Sequence, residues 1–258
     1  DAVKLQLYDP VRLAEARGGA AKILADGPWA GRTLVELYAE AHTPRDWFEE
    51  LFAYARDLGI TVFSSVFHIE DIPFLEALGC PAYKIASFEL TDCDLIRACS
   101  ETGKPVILST GMAADWEIAE ATCATYEPTA DGRLVPRCDV AILHCVSSYP
   151  CSLADANLHR ITHLLRNSAV PVGLSDHTLG NTAPIVATAL GASIIEKHIT
   201  LSRAIGGPDK RHSLEPHDFK SMVLAVERAH LALGSGKPSS AEETYRSLRR
   251  TKEPAHAA

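Results

Sequence analysis

At 258 residues the chain is long enough for one large domain, and an α/β barrel takes about 250. Its 47% hydrophobic and 22% charged residues exclude collagen-like, coiled-coil and disordered classes, and no apolar run approaches the ~20 residues that span a bilayer. A net charge of −8 without a Lys/Arg-dense stretch argues against nucleic acid, so an anionic substrate would need a local basic pocket.

Seven short runs rich in β-branched residues recur along the chain: AVKLQ (2–6), TVFSS (61–65), AYKIAS (82–87), PVILST (105–110), VAILHC (140–145), PVGLSD (171–176) and SIIEKH (193–198). Helical periodicity fills most of the intervals, and that alternation predicts a parallel sheet covered by helices. After the first run, residues 7–42 are too long for a simple connection. They hold Gly18, Gly19, Gly27, Pro28, Trp29 and Gly31, and read either as an excursion over a substrate or as surface elaboration.

From Thr43 to Leu58 a helix is expected, with Thr43 as cap, Pro44 in the first turn, and Trp47, Phe48, Leu51, Phe52, Ala55 and Leu58 on one apolar face. A second follows Pro216, with Phe219, Met222, Val223, Val226 and Leu233 inward and Gly234 at its end. The barrel domain is expected over 1–234 and a polar linker or tail over 235–258. The seven cysteines, without a C-x-x-C, read mainly as buried thiols. The N-terminal DAVKLQLYDP has no signal-peptide pattern, and a cytoplasmic protein is expected.

Polar residues gather at the C-terminal ends of the runs: Gln6, Ser64, Ser65, Ser87, Ser109, Thr110, His144, Asp176, His177 and His198. In a closed βα barrel those ends form the mouth where chemistry occurs. If PVGLSDHT and SIIEKHIT end neighbouring strands, His177 and His198 lie side by side with Asp176 and Glu196 close by. Such a group suits a catalytic divalent ion, Mn²⁺ or Mg²⁺, or two histidines held by hydrogen bonds. Lys4 and Lys84, with Ser65, Ser87, Ser109, Ser147 and Ser175, form a cationic and hydroxylic group that reads as an anion site or as ordinary salt bridges. In the loop RAIGGPDKRHSLEP, Asp209 could reach over the mouth and Arg203 or Lys210 could steady an anion; a plain connection is the alternative.

The motifs YKIASFEL, PVILSTGM, ILHCVSSYP, VGLSDHT, IIEKHIT and GGPDKRHSLEP, in that order, resemble the sialic acid synthase family, and the similarity runs from Asp1 to about Leu248. Within it, residues 31–65 are most similar to the pseudaminic acid branch. The resemblance implies a (β/α)8 TIM barrel and a metal-assisted transferase reaction. Phosphoenolpyruvate would condense with an open-chain N-acetylated amino sugar to give a nine-carbon 2-keto acid and phosphate. The sugar implied is 2,4-diacetamido-2,4,6-trideoxy-L-altrose, with N-acetylneuraminate and legionaminic acid synthesis as alternatives. A binding paralogue without catalysis is the reading of another class.

Carried over by that resemblance, His177 and His198 are metal ligands. Lys4, Ser65, Lys84, Ser87, Glu89, Ser109, Ser147, Tyr149, Ser175 and Asp209 bind substrate, and Glu196, Asp209, Tyr149 and Lys84 lie at the reacting centre. A homodimer is implied for the full-length family protein. Four departures stand out: the family's first βα unit and its C-terminal antifreeze-like domain are expected to be absent, Ser147 replaces an Asn, and FSSVFH replaces FSSPFD.

Overall fold

The computed structural model describes residues 2–27 and 29–249; Asp1, Pro28 and the last part of the expected tail, 250–258, lie outside the described residues. In chain order the strands are β1 (Ala2–Leu7), β2 (Thr61–Val66), β3 (Tyr83–Ile85), β4 (Val106–Ser109), β5 (Tyr126–Pro128), β6 (Leu134–Pro136), β7 (Val140–Cys145), β8 (Val172–Asp176) and β9 (Ile195–Lys197). The α-helices are α1 (Pro10–Ala16), α2 (Leu34–Ala41), α3 (Phe48–Asp57), α4 (Ile72–Ala77), α5 (Cys93–Glu101), α6 (Asp115–Cys123), α7 (His159–Asn167), α8 (Thr182–Ala189) and α9 (Pro216–Leu233).

Seven strands form one parallel sheet in the order β1-β2-β3-β4-β7-β8-β9, matching the seven apolar runs. The sheet curls so far that Lys4 on the first edge strand meets Glu196 on the last, Nζ to Oε1, at 2.8 Å. It is a barrel left open between β1 and β9, a partial TIM barrel. The core lies between sheet and helices, where Phe48, Phe52, Leu75, Ile85, Leu95, Ile96, Leu108, Ile142, Ile161 and Val172 are buried. On the inner face Gly173 lets β9 and β7 come close: a Cβ there would lie 2.4 Å from the Ile194 carbonyl oxygen and 2.6 Å from Leu143 Cδ2.

The excursion over 7–42 is built from well-capped helices. Asp9 accepts the Arg12 N–H at 2.8 Å ahead of Pro10, which starts α1. Thr33 and Glu36 form a reciprocal capping box at the start of α2. Tyr8, Leu13 and Phe67 form a small second core that fixes this segment against β2.

Several expectations change. The helix expected over 43–58 begins only at Phe48, after a 3₁₀ turn over Arg45–Trp47, and Trp47 and Leu58 are exposed. On α9 only Met222 is buried and Leu233 is exposed. Residues Tyr126–Pro136 form an antiparallel hairpin, β5 with β6, outside the barrel sheet. All seven cysteines are free thiols; Cys80, Cys99, Cys145 and Cys151 are buried and Cys123 is exposed. Ser240–Leu248 form 3₁₀ turns with no buried residue.

Candidate active site

Parallel pairing in register puts chemically active residues in rows. Gln6, Ser65 and Lys84 are neighbours across β1, β2 and β3, and Cys145, Ser175 and Glu196 are neighbours across β7, β8 and β9. In-register neighbours share a face of the pleat, so both rows point to the inside of the curl. They line a cavity of about 520 Å³ together with Lys4, Ser87, Ser109, Tyr149, His177, His198 and Asp209.

The cationic side is mostly buried. Lys84 is fully buried, and its ammonium donates to Ser109 Oγ at 2.6 Å and to the Ile85 carbonyl at 2.8 Å. Burial brings its pKa from 10.5 down to about 8. Lys4 binds Glu196, which also accepts the Ser175 hydroxyl at 2.9 Å. Burial alone would raise the Glu196 carboxyl, but Lys4 and Lys84 overcome it and hold the group well below the usual carboxylate range. Two hydroxyls face the Gly111 backbone: Ser87 Oγ accepts its N–H at 3.1 Å, and a Cβ on Gly111 would lie 2.4 Å from Ser147 Oγ and 2.7 Å from Ser87 Oγ. Ser147 Oγ is buried without a hydrogen-bond partner among the described residues.

The opposite side is imidazole-rich. His177 Nδ1 lies 3.0 Å from the Val146 carbonyl, which can only accept, so the proton is on Nδ1 and Nε2 carries the lone pair. His177 and His198 stand with ring centroids 5.4 Å apart. His198, Asp209 and His212 offer ligand atoms all within 4.8 Å of one another, a group able to hold a metal ion. Two imidazoles and a carboxylate with open positions are a donor set that first-row divalent ions use. Burial brings the pKa of His177 and of His212 down to about 4, so both are neutral, as ligands must be. Tyr149 packs against His177 and His212 at centroid distances of 4.4 and 5.2 Å, and burial raises its phenol above the ordinary value.

The excursion closes the cavity from above. Arg17, Lys22, Trp29 and Tyr38 line it. Trp29 donates to the Pro208 carbonyl at 3.1 Å and packs on Tyr149, tying the excursion to the loop that carries Asp209. Arg17 pairs with Glu89 and with the Tyr38 hydroxyl, and lies 4.6 Å over the Phe88 ring. Arg17 Nε and Glu89 Oε2 are buried without hydrogen-bond partners among the described residues. Glu89 is raised by burial against the pull of Arg17.

The NeuB family profile matches residues 1–238. The chain belongs to the NeuB family. It is 43% identical over 238 residues to the pseudaminic acid synthase of Helicobacter pylori, covering 92% of this chain and 68% of that protein. Against the pseudaminic acid synthase of Campylobacter jejuni the identity is 41%, covering 92% and 67%. Among solved structures, an N-acetylneuraminic acid (sialic acid) synthetase from Leptospira borgpetersenii, in complex with citrate, superposes with a TM-score of 0.81 at 32% identity, covering 96% of this chain and 80% of that one. These relatives are named synthases, and this chain is an enzyme of that kind. It spans about two thirds of the length of the two pseudaminic acid synthases.

Four strand-end polar residues of this NeuB-family chain point away from the cavity. Asp176 is not beside the imidazoles: its Oδ2 binds Lys197 Nζ at 2.5 Å, with the side chains 1% and 0% exposed. His144 Nε2 bonds the Ala156 carbonyl, Thr110 donates to the Leu143 carbonyl and Ser64 to the Ser65 carbonyl. Arg203 turns outward to Asp218 and Glu215, and Lys210 is exposed, so neither faces the cavity. Sequence reasoning missed His212 and Arg17, and named Trp29 only as part of the 7–42 excursion, without a role of its own. His212 had a readable signal, three residues after Asp209 in a Gly-rich loop behind a strand; Arg17 and Trp29 had none, because folding alone brings them over the mouth.

Proposed function

We propose that this enzyme condenses phosphoenolpyruvate with an open-chain N-acetylated amino sugar, and that the sugar is 2,4-diacetamido-2,4,6-trideoxy-L-altrose, giving pseudaminic acid. The carrying observation is that two ammonium groups, a set of serine hydroxyls and an imidazole–carboxylate cluster line one cavity. The sugar assignment rests on the similarity to two pseudaminic acid synthases.

Lys84 has hydroxyl and carbonyl partners but no carboxylate in contact, so its buried charge is free to hold the phosphate of phosphoenolpyruvate. Ser65, Ser109 and Ser175 add donors from three strands. The Gly111 turn, with Ser87 and the unpartnered Ser147 hydroxyl, offers an oxyanion-binding surface next to it. Glu196 fixes Lys4 through a charge-assisted bond. Its lowered pKa makes it a weak base, so its part is to orient the cation. Tyr149 stays protonated, so its phenol is available as a donor to substrate.

His198 and Asp209, with His177 alongside, would hold a divalent ion, which when bound would supply Lewis-acid polarisation of the aldehyde oxygen. A C–C bond forms between C3 of phosphoenolpyruvate and the aldehyde carbon. Water adds at C2 and phosphate leaves, so sugar, phosphoenolpyruvate and water balance 2-keto acid and phosphate.

The test supplies phosphoenolpyruvate, Mn²⁺ and each of three acceptors: the altrose derivative, N-acetylmannosamine and the legionaminic precursor. Phosphate release and a nine-carbon acid by mass spectrometry are expected with the altrose derivative. Phosphate release with another acceptor alone would overturn the sugar assignment, and none with any would overturn the condensation.

A further inference from the structure

Packing accounts for an aromatic ring at position 212, but not for an imidazole. His212 is 1% exposed, wedged between Tyr149 at 5.2 Å, His198 at 4.6 Å and His177 at 5.7 Å between ring centroids. Its Nε2 is buried with no hydrogen-bond partner, an arrangement that costs free energy unless something binds that nitrogen. The nearest acidic group, Asp209 Oδ1, is 3.8 Å away, beyond hydrogen-bond reach. Asp209 itself turns its other oxygen toward His198 Nδ1 at 3.4 Å. The His212 nitrogen and the Asp209 Oδ1 oxygen therefore face a space in which no hydrogen bond is made to that nitrogen among the described residues.

We propose that His212 is a ligand of the divalent ion, and that the resulting nitrogen-rich seat selects a later first-row ion over Mg²⁺. The inference rests on the reading that a divalent ion sits at this cluster. His198, Asp209 and His212 give two imidazoles and a carboxylate, while His177, outside that group and with its Nδ1 turned to Val146, stands beside them with its ring centroid 5.4 Å from that of His198. Imidazole favours Fe²⁺, Co²⁺ and Zn²⁺ in the Irving–Williams order, whereas Mg²⁺ takes oxygen and water. With His198 ending β9 and both Asp209 and His212 on the loop behind it, the ion would also fasten that loop across the cavity.

The experiment titrates the whole protein with Mg²⁺, Mn²⁺, Co²⁺ and Zn²⁺ separately by calorimetry, alongside His212→Phe, which keeps the ring. His212→Gln serves as a second variant should the first fail to fold. Loss of a ligand is expected to weaken Co²⁺ and Zn²⁺ by at least about tenfold while Mg²⁺ changes little. Pulsed electron paramagnetic resonance of the Mn²⁺-loaded protein is expected to lose one imidazole nitrogen coupling in the variant. Unchanged Co²⁺ affinity and an unchanged number of couplings would overturn the role of His212 while leaving the metal site standing. A wild-type protein that binds none of the four ions would overturn both.

Discussion

Replacing Asp176 by Asn separates two meanings of a strand-end carboxylate. The Asp176–Lys197 pair is fully enclosed, with the ions 2.5 Å apart and the other Asp176 oxygen accepting the Thr178 N–H at 2.8 Å. Asn keeps the shape and leaves the Lys197 ammonium buried against the Thr178 carbonyl alone. Breaking a buried pair by removing one partner costs about 3–5 kcal/mol. For a domain near this size each kcal/mol moves the melting temperature by about 2–4 °C, so a fall of about 6–20 °C is expected. Adding Lys197→Met should recover much of the loss, because the remaining charge is then gone. Scanning calorimetry reads the stability, and Mn²⁺ titration of the same samples, below their melting range, is expected to agree with wild type within about threefold. A variant that melts like wild type but loses Mn²⁺ binding would refute the structural role and return Asp176 to the metal site.

Gly111→Ala should lower the melting temperature, because its Cβ would lie 2.9 Å from Ser87 Cβ, a clash that turning the two serine hydroxyls does not relieve. It should raise the KM for phosphoenolpyruvate about tenfold or more by displacing Ser87 and Ser147; an unchanged KM would remove both hydroxyls from the anion site. Lys84→Met should be more stable than wild type at pH 7. Between pH 8 and 10.5 the unfolded lysine binds more protons than the folded one, so wild-type stability rises with pH in that window and the gap to the variant narrows. Urea midpoints at pH 7 and pH 10 measure this, and a pH-independent gap would contradict it.

The seven-stranded order was legible because parallel strands covered on both faces are continuous apolar runs, and VAILHC and PVGLSD have no other comfortable place. The hairpin was hidden because Tyr126–Pro128 and Leu134–Pro136 are short, partly exposed and end in proline. At the site, His177, His198, Lys4 and Lys84 were legible from strand ends and motifs. Asp176 was misplaced because runs of polar residues were read as one group, although the period of two puts Ser175 and Glu196 on one face and Asp176 and Lys197 on the other. Arg17 reaches Glu89 across 72 residues and Trp29 reaches Pro208 across 179, contacts that no local pattern encodes.

The two lysines of the cavity divide the electrostatic work unequally. Lys4 and Glu196 meet across the open edge of the barrel, so this pair draws β1 and β9 together and its charge is largely spent within the protein. Lys84 lies deeper, with Glu196 the strongest charge acting on it, and that carboxylate is already bound to Lys4 and Ser175. A ligand anion therefore gains most at Lys84, where it relieves a desolvated charge, and least at Lys4, where it must compete with a carboxylate already in place. The same burial that costs the empty protein stability is what makes the site selective for an anion. Exchanging Lys84 for a neutral side chain should therefore trade affinity for stability, whereas exchanging Lys4 should loosen the barrel edge as well.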